Sequence, residues 1–136
     1  MLFYLGCLQK YNNFMIYNPS MDTKTLQNLT EKLWNNYSEI FPKLVRFDPP
    51  KIILNNRLSA TAGYNRSEEN VIHLAGKFFV NNKSEMLLTT LPHELAHQID
   101  FNLHGWKPGQ LHHRKSWKII MVEIGLPPLL YHEMVL

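Results

Sequence analysis

The sequence predicts an α+β domain, helices packed on one face of a small sheet, and three observations carry that prediction. An amphipathic stripe runs over residues 23–41, three short segments rich in β-branched or small residues follow between turn-forming spacers, and two more helical patterns lie beyond them. With 136 residues, 45% hydrophobic and 18% charged, the chain is the size of one domain, and its apolar content excludes disorder throughout.

Residues 1–21 are expected to be an N-terminal arm ahead of a domain spanning 22–136. The apolar start reaches a Gly6-Cys7 pair but lacks a preceding basic residue and is too short for a secretory signal, whose apolar region alone takes about 7 to 15 residues. Met15 and Met21 are alternative starts. Leu26, Leu29, Leu33, Trp34, Tyr37 and Ile40 then recur at three- and four-residue intervals, with Asp22 or Thr23 as the cap and Pro42 as the stop. Asp48-Pro49-Pro50 marks a turn. Residues 51–54, 60–64 and 71–74, spaced by Asn55-Asn56 and by residues 65–70, read as a mostly antiparallel meander of about three strands. A helix is expected from Ser84, kinked or broken at Pro92. Gly105, Pro108 and Gly109 make a loop, and residues 114–124 form the last helix, with Trp117, Ile120, Met121 and Ile124 on one face.

Composition removes several functional classes. Cys7 is the single cysteine, so the chain has neither an internal disulfide nor a paired-cysteine zinc knuckle, and a reducing compartment is expected: the cytoplasm, with nucleus or nucleoid as variants. Apolar runs such as residues 78–80 and 125–130 fall far short of the roughly 20 residues of a membrane span, so a soluble protein without a membrane partner is expected. The net charge of +3 comes from scattered basic residues and at most permits weak DNA association.

The stretch that carries chemistry is His93-Glu94-Leu95-Ala96-His97. Residues four apart on a helix are about 6 Å apart along its axis and on one face, so the two imidazoles can chelate one metal ion. Glu94 lies about 100° round the helix from His93, within reach of a water on that metal, as a general base must be. The plain alternative is a surface helix with two solvated histidines. A catalytic zinc takes a third protein ligand and keeps one position open. His104 is about 10 Å further along an unbroken helix and cannot share the ion unless the helix ends early. A metzincin pattern would need Gly and His where Asp100 and Leu103 stand. Glu123 has no supporting signature around it. His113, with His112 beside it, follows the 105–109 loop at the start of the last helix, from which an imidazole can point back; it is the preferred third ligand.

The segments "PHELAH", "HRKSW" and "EIGLP", with "SATAGY" and "NVIHLAGKFF" upstream, resemble the SprT-like family of zinc metallopeptidases over about residues 23–134. That resemblance implies a zincin-like fold in which the N-terminal helix, the metal-site helix and the C-terminal helix pack on the sheet. It implies Zn²⁺ held by His93, His97 and His113, the last chosen by the family's histidine four residues ahead of an aromatic, here Trp117. Two departures stand out: Arg114 follows His113 where many members have glycine, which keeps His112 as the alternative ligand, and no cysteine pairs for the C-terminal zinc ribbon of larger relatives occur in this sequence, so a minimal Spartan-type protease core is expected.

The expected function is therefore zinc-dependent hydrolysis of peptide bonds in a protein or peptide substrate, with Glu94 as the general base. DNA-associated proteins are one substrate class implied by the resemblance. The alternative, from another class, is a non-catalytic zinc-binding adapter that holds a protein partner. A monomer is expected. Substrate would add as a strand along residues 60–64 or 71–74. Tyr64, Tyr131 and His132 are minor candidates for transition-state contacts. Trp117 is expected as a core anchor beneath the metal, Asp100 as a solvated carboxylate ahead of a role orienting a ligand imidazole, and His73 as a sheet or surface residue. Trp34 and Tyr37 read as core, Cys7 as inert, and Lys107, Arg114 and Lys115 as solvated charges beside the cleft.

Overall fold

Asp22 caps the first helix, α1 (Thr23–Ile40): its Oδ1 accepts from the Thr25 N–H at 2.7 Å, satisfying a donor that the first turn leaves unpaired. The computed structural model describes residues 21–107 and 109–128. The expected arm, with Cys7, lies outside the described residues apart from Met21, which packs against the core. Tyr131, His132 and Pro108 also lie outside them. Leu26, Leu29, Leu33, Trp34 and Tyr37 are all buried, as the stripe requires. Pro42 stops α1 and opens a 3₁₀ turn (Pro42–Arg46).

Strands β1 (Lys51–Asn55), β2 (Gly63–Arg66) and β3 (Val71–Ala75) form a sheet of order β1-β3-β2. β1 runs parallel to β3 and β2 antiparallel to it, so the sheet is mixed and the expected mostly antiparallel meander is corrected. The reason lies at Asn70, which adopts the left-handed conformation (φ 57°) that closes the β2–β3 turn. Its Nδ2 donates to the carbonyls of Asp48 and Pro49 at 3.0 and 3.3 Å, and its own carbonyl accepts from Lys51 N–H at 3.0 Å. The start of β1 is thereby fixed beside the start of β3, and the two run the same way. β2 also begins later than expected, so that Asn65 and Arg66, read as spacer, are strand. Ile52, Ile72 and Leu74 are fully buried in the core.

The helix expected from Ser84 starts earlier. A 3₁₀ turn (Gly76–Phe78) leads into α2 (Phe79–Glu85), and a π-helical turn (Met86–Thr90) follows before α3 (Leu91–His104). Pro92 sits within the first two positions of α3, where a missing N–H costs least, so the chain changes helical pitch there and does not break. Gly105 ends α3 with φ +71°, a value glycine alone adopts freely, and a loop returns the chain to α4 (Lys115–Glu123), which buries Trp117, Ile120 and Met121.

Two polar contacts lock β2 onto α3. The Asn65 Nδ2 donates to Gln98 Oε1 at 2.8 Å, and the Gln98 Nε2 donates to the Ser67 carbonyl at 3.1 Å. Gly63 allows β2 to lie close against β3: a Cβ there would lie 2.8 Å from the His73 carbonyl oxygen and 3.1 Å from Leu74 Cδ2. Among the described residues no helix is long and apolar enough to cross a membrane.

Candidate metal centre

His93 and His97 project from one face of α3, and the loop after Gly105 brings His113 back to meet them. The ring centroids form a nearly equilateral triangle: 5.0 Å for His93–His97, 5.1 Å for His93–His113 and 4.9 Å for His97–His113. The ligating nitrogens all lie within 4.8 Å of one another. His93 Nε2 and His113 Nε2 are 3.2 Å apart. Two nitrogens bound to a tetrahedral zinc, each about 2.0–2.1 Å from it, sit about 3.3 Å apart, so this pair is spaced as a metal site requires.

Trp117 is the floor of the triangle. Its ring lies 4.8 Å from His93, 5.0 Å from His97 and 4.6 Å from His113, and its Nε1 donates to the His93 carbonyl at 3.4 Å. The indole is fully buried, as a core anchor should be. His112 stands apart: its ring is 6.4 Å from His97, and it is not in the ligating cluster. His104 is turned away, its Nδ1 2.9 Å from Asp100 Oδ1, and Glu123 is likewise outside the cluster.

Electrostatics prepare the imidazoles for a cation. Burial, then the neighbouring imidazoles of His93, His113 and His112, pushes His97 down to about 2, and burial lowers His113 as well. Both rings are therefore neutral near pH 7, the protonation state in which histidine ligates a metal. Burial alone raises the Glu94 carboxyl to about 8. A nitrogen-only donor set of three, beside a buried carboxyl and open to a groove, fits zinc in a site with a free position.

The groove has a volume of about 1060 Å³ and is bounded by two banks. β2 and the residues before it form one; Trp106, Leu111 and His112 from the 105–114 loop form the other, with His93, Glu94 and His97 between. The Ala75 N–H donates to the Ala62 carbonyl at 2.8 Å, and the alternation of an antiparallel ladder then points the backbone groups of Gly63 and Asn65 away from β3, toward an edge that no strand pairs among the described residues, where the Gly63 carbonyl accepts from the Thr61 hydroxyl at 3.1 Å. β1 offers no such edge beside α1, because Gln27 closes it: Oε1 accepts from Ile52 N–H at 2.8 Å and Nε2 donates to the Pro50 carbonyl at 2.9 Å. Of the two expected substrate strands, 71–74 is the central β3 and has no free edge.

Several sequence expectations are corrected here. Asp100 is not solvated but buried, bonded to Arg114 Nε at 2.6 Å and to His104, and it orients no ligand imidazole. Arg114, read as a solvated charge, is mostly covered. Tyr64, a minor candidate for transition-state contacts, lines the groove, and its ring stacks on His73 with centroids 4.5 Å apart and planes within 10°. Trp106, 40% exposed on the groove bank, was not singled out by its sequence context; an exposed aromatic in a loop has no periodicity to reveal it.

The sequence model of the SprT-like family matches residues 26–134, and the chain belongs to that family. Membership suggests a zinc-dependent protease-type domain. No curated protein and no solved structure shows significant similarity to the chain.

Proposed function

We propose that this member of the SprT-like family is a zinc metallopeptidase that cleaves a protein segment lying along β2. His93, His97 and His113 hold the ion and Glu94 is the general base. The observation that carries this reading is the triangle of three imidazoles beside a buried carboxyl, opening on a groove lined by β2, the edge strand among the described residues. Zinc in this position supplies Lewis acidity, which polarises a carbonyl and acidifies water.

The chain's own residues do the rest. Gly63 and Asn65 give backbone partners to an added strand and so hold the scissile carbonyl at the floor of the groove. Glu94, on the turn between the two histidines, would be held ionised by the cation beside it, which offsets the burial that raises its pKa in the metal-free chain; its carboxylate oxygen would then accept the proton of the attacking water and pass it to the leaving amine nitrogen. Trp106 and Leu111 on the opposite bank present apolar surface to a substrate side chain. Three ligands without a fourth among the described residues favour catalysis over a closed structural site.

The test is cleavage of an unfolded protein substrate by zinc-loaded protein, with and without chelator, beside Glu94→Gln. The variant is expected to keep its zinc and lose about 10²- to 10⁴-fold in rate. Full activity in Glu94→Gln removes the general-base role. Bound zinc without any turnover in the wild type leaves the adapter reading in its place.

A further inference from the structure

Arg114 directly follows the third histidine, and its guanidinium reaches α3 at one point and the loop that delivers that histidine at two. Nε donates to Asp100 Oδ2 on α3 at 2.6 Å, NH2 donates to the Gly105 carbonyl at the start of the loop at 2.7 Å, and NH1 donates to Gln110 Oε1 in its middle. The same Gln110 oxygen accepts from the Lys107 N–H at 2.9 Å. The guanidinium also lies over the Trp106 ring, 5.5 Å from its centroid. The Asp100 side chain is only 4% exposed and that of Arg114 14%, so the ion pair is shielded from water and its geometry is fixed.

From this geometry we propose that Arg114 is a positioning residue for His113: it clasps the 105–114 loop to α3 and so holds the third imidazole at the point where His93 and His97 converge. The proposal rests on the metal-site reading above. Two of the ligands stand on a rigid helix, whereas the third is delivered by a loop, and holding a loop in one arrangement costs conformational entropy at every residue. A loop free to leave would make the three-ligand arrangement a minor population, and apparent metal affinity falls in proportion to that population. Coulomb repulsion between guanidinium and ion acts in the opposite direction, so a simple charge effect predicts tighter binding once the arginine is removed.

Lysine at this position keeps the charge beside Asp100 but has one ammonium in place of a planar fork, and it cannot serve Asp100, Gly105 and Gln110 together. The experiment is zinc affinity by competition with a chromophoric chelator for wild type, Arg114→Lys, His113→Ala and the double variant. Metal-free thermal melts check that each is folded, and the visible spectrum of the cobalt-substituted form reports coordination. Arg114→Lys is expected to weaken zinc binding at least tenfold and to change the cobalt spectrum toward that of His113→Ala. In the His113→Ala background the same change is expected to do little, since the ligand it positions is gone. Equal affinity in Arg114→Lys and wild type overturns the proposal, as does an equal loss in both backgrounds, which would make Arg114 a general structural residue. Absence of zinc from the wild type is a different result: it overturns the metal-site reading itself, and this proposal with it. Should Arg114→Lys fail to fold, Gln110→Ala loosens the loop without unpairing Asp100 and is held to the same comparison.

Discussion

The indole of Trp117 lies nearly parallel to the imidazole of His97, with ring centroids 5.0 Å apart and planes within 17° of each other. One helix thus provides the surface on which a ligand of another helix rests, and the packing core and the metal site share a side chain. Trp117→Phe keeps an aromatic floor but loses the Nε1 bond to the His93 carbonyl and part of the stacked area. It is expected to cost about 1–3 kcal/mol of stability in denaturant melts and to weaken zinc binding in parallel. A stability loss with unchanged zinc affinity would confine Trp117 to packing.

The metal-free protein should show a pH signature that belongs to Glu94. Its carboxyl is raised by burial from 4.5 to about 8, so within that interval the folded chain holds a proton that the unfolded chain has released. Stability therefore falls as pH rises through the window, by an amount on the order of a few kcal/mol. Glu94→Gln has no such proton, and its stability advantage over wild type, both without metal, is expected to grow between about pH 5 and pH 8. Urea melts across that range measure the gap directly; a constant gap would mean that the carboxyl is already ionised in the fold.

Trp106 and Leu111 are 40% and 76% exposed on the bank opposite β2, a position where an apolar substrate side chain can cover them. Trp106→Ala is expected to lower kcat/KM about tenfold for peptides with a bulky apolar residue near the cleaved bond, and much less for peptides with alanine there. Cleavage-site mapping on a mixed peptide pool makes the comparison. Loss of rate that is the same for every peptide would place Trp106 in the loop's structure and not in side-chain selection.

Much of the domain was legible where a period or a spacing encodes it. The α1 stripe and the helical pair His93 and His97 follow from one-dimensional pattern, because helix geometry converts spacing into direction, while the cap was narrowed only to Asp22 or Thr23 and the spacing of His113 ahead of Trp117 came from the family resemblance. The strand order did not follow, since it depends on Asn70 bonding back to residues 48 and 49, a contact with no local signature. Nor did the fate of Asp100. A carboxylate one turn beyond a metal-binding motif reads the same whether it meets water, an imidazole or, as here, an arginine 14 positions on. The closed β1 edge was equally hidden, because Gln27 looks like any polar residue of an amphipathic helix until Ile52 is placed beside it.

The central claim is that three particular histidines hold one zinc, and elemental analysis of the purified protein beside His112→Ala and His113→Ala tests it most directly. The account predicts one zinc per chain in the wild type and in His112→Ala, and its loss in His113→Ala. Zinc kept by His113→Ala and lost from His112→Ala, or no zinc in the wild type after reconstitution, would contradict it.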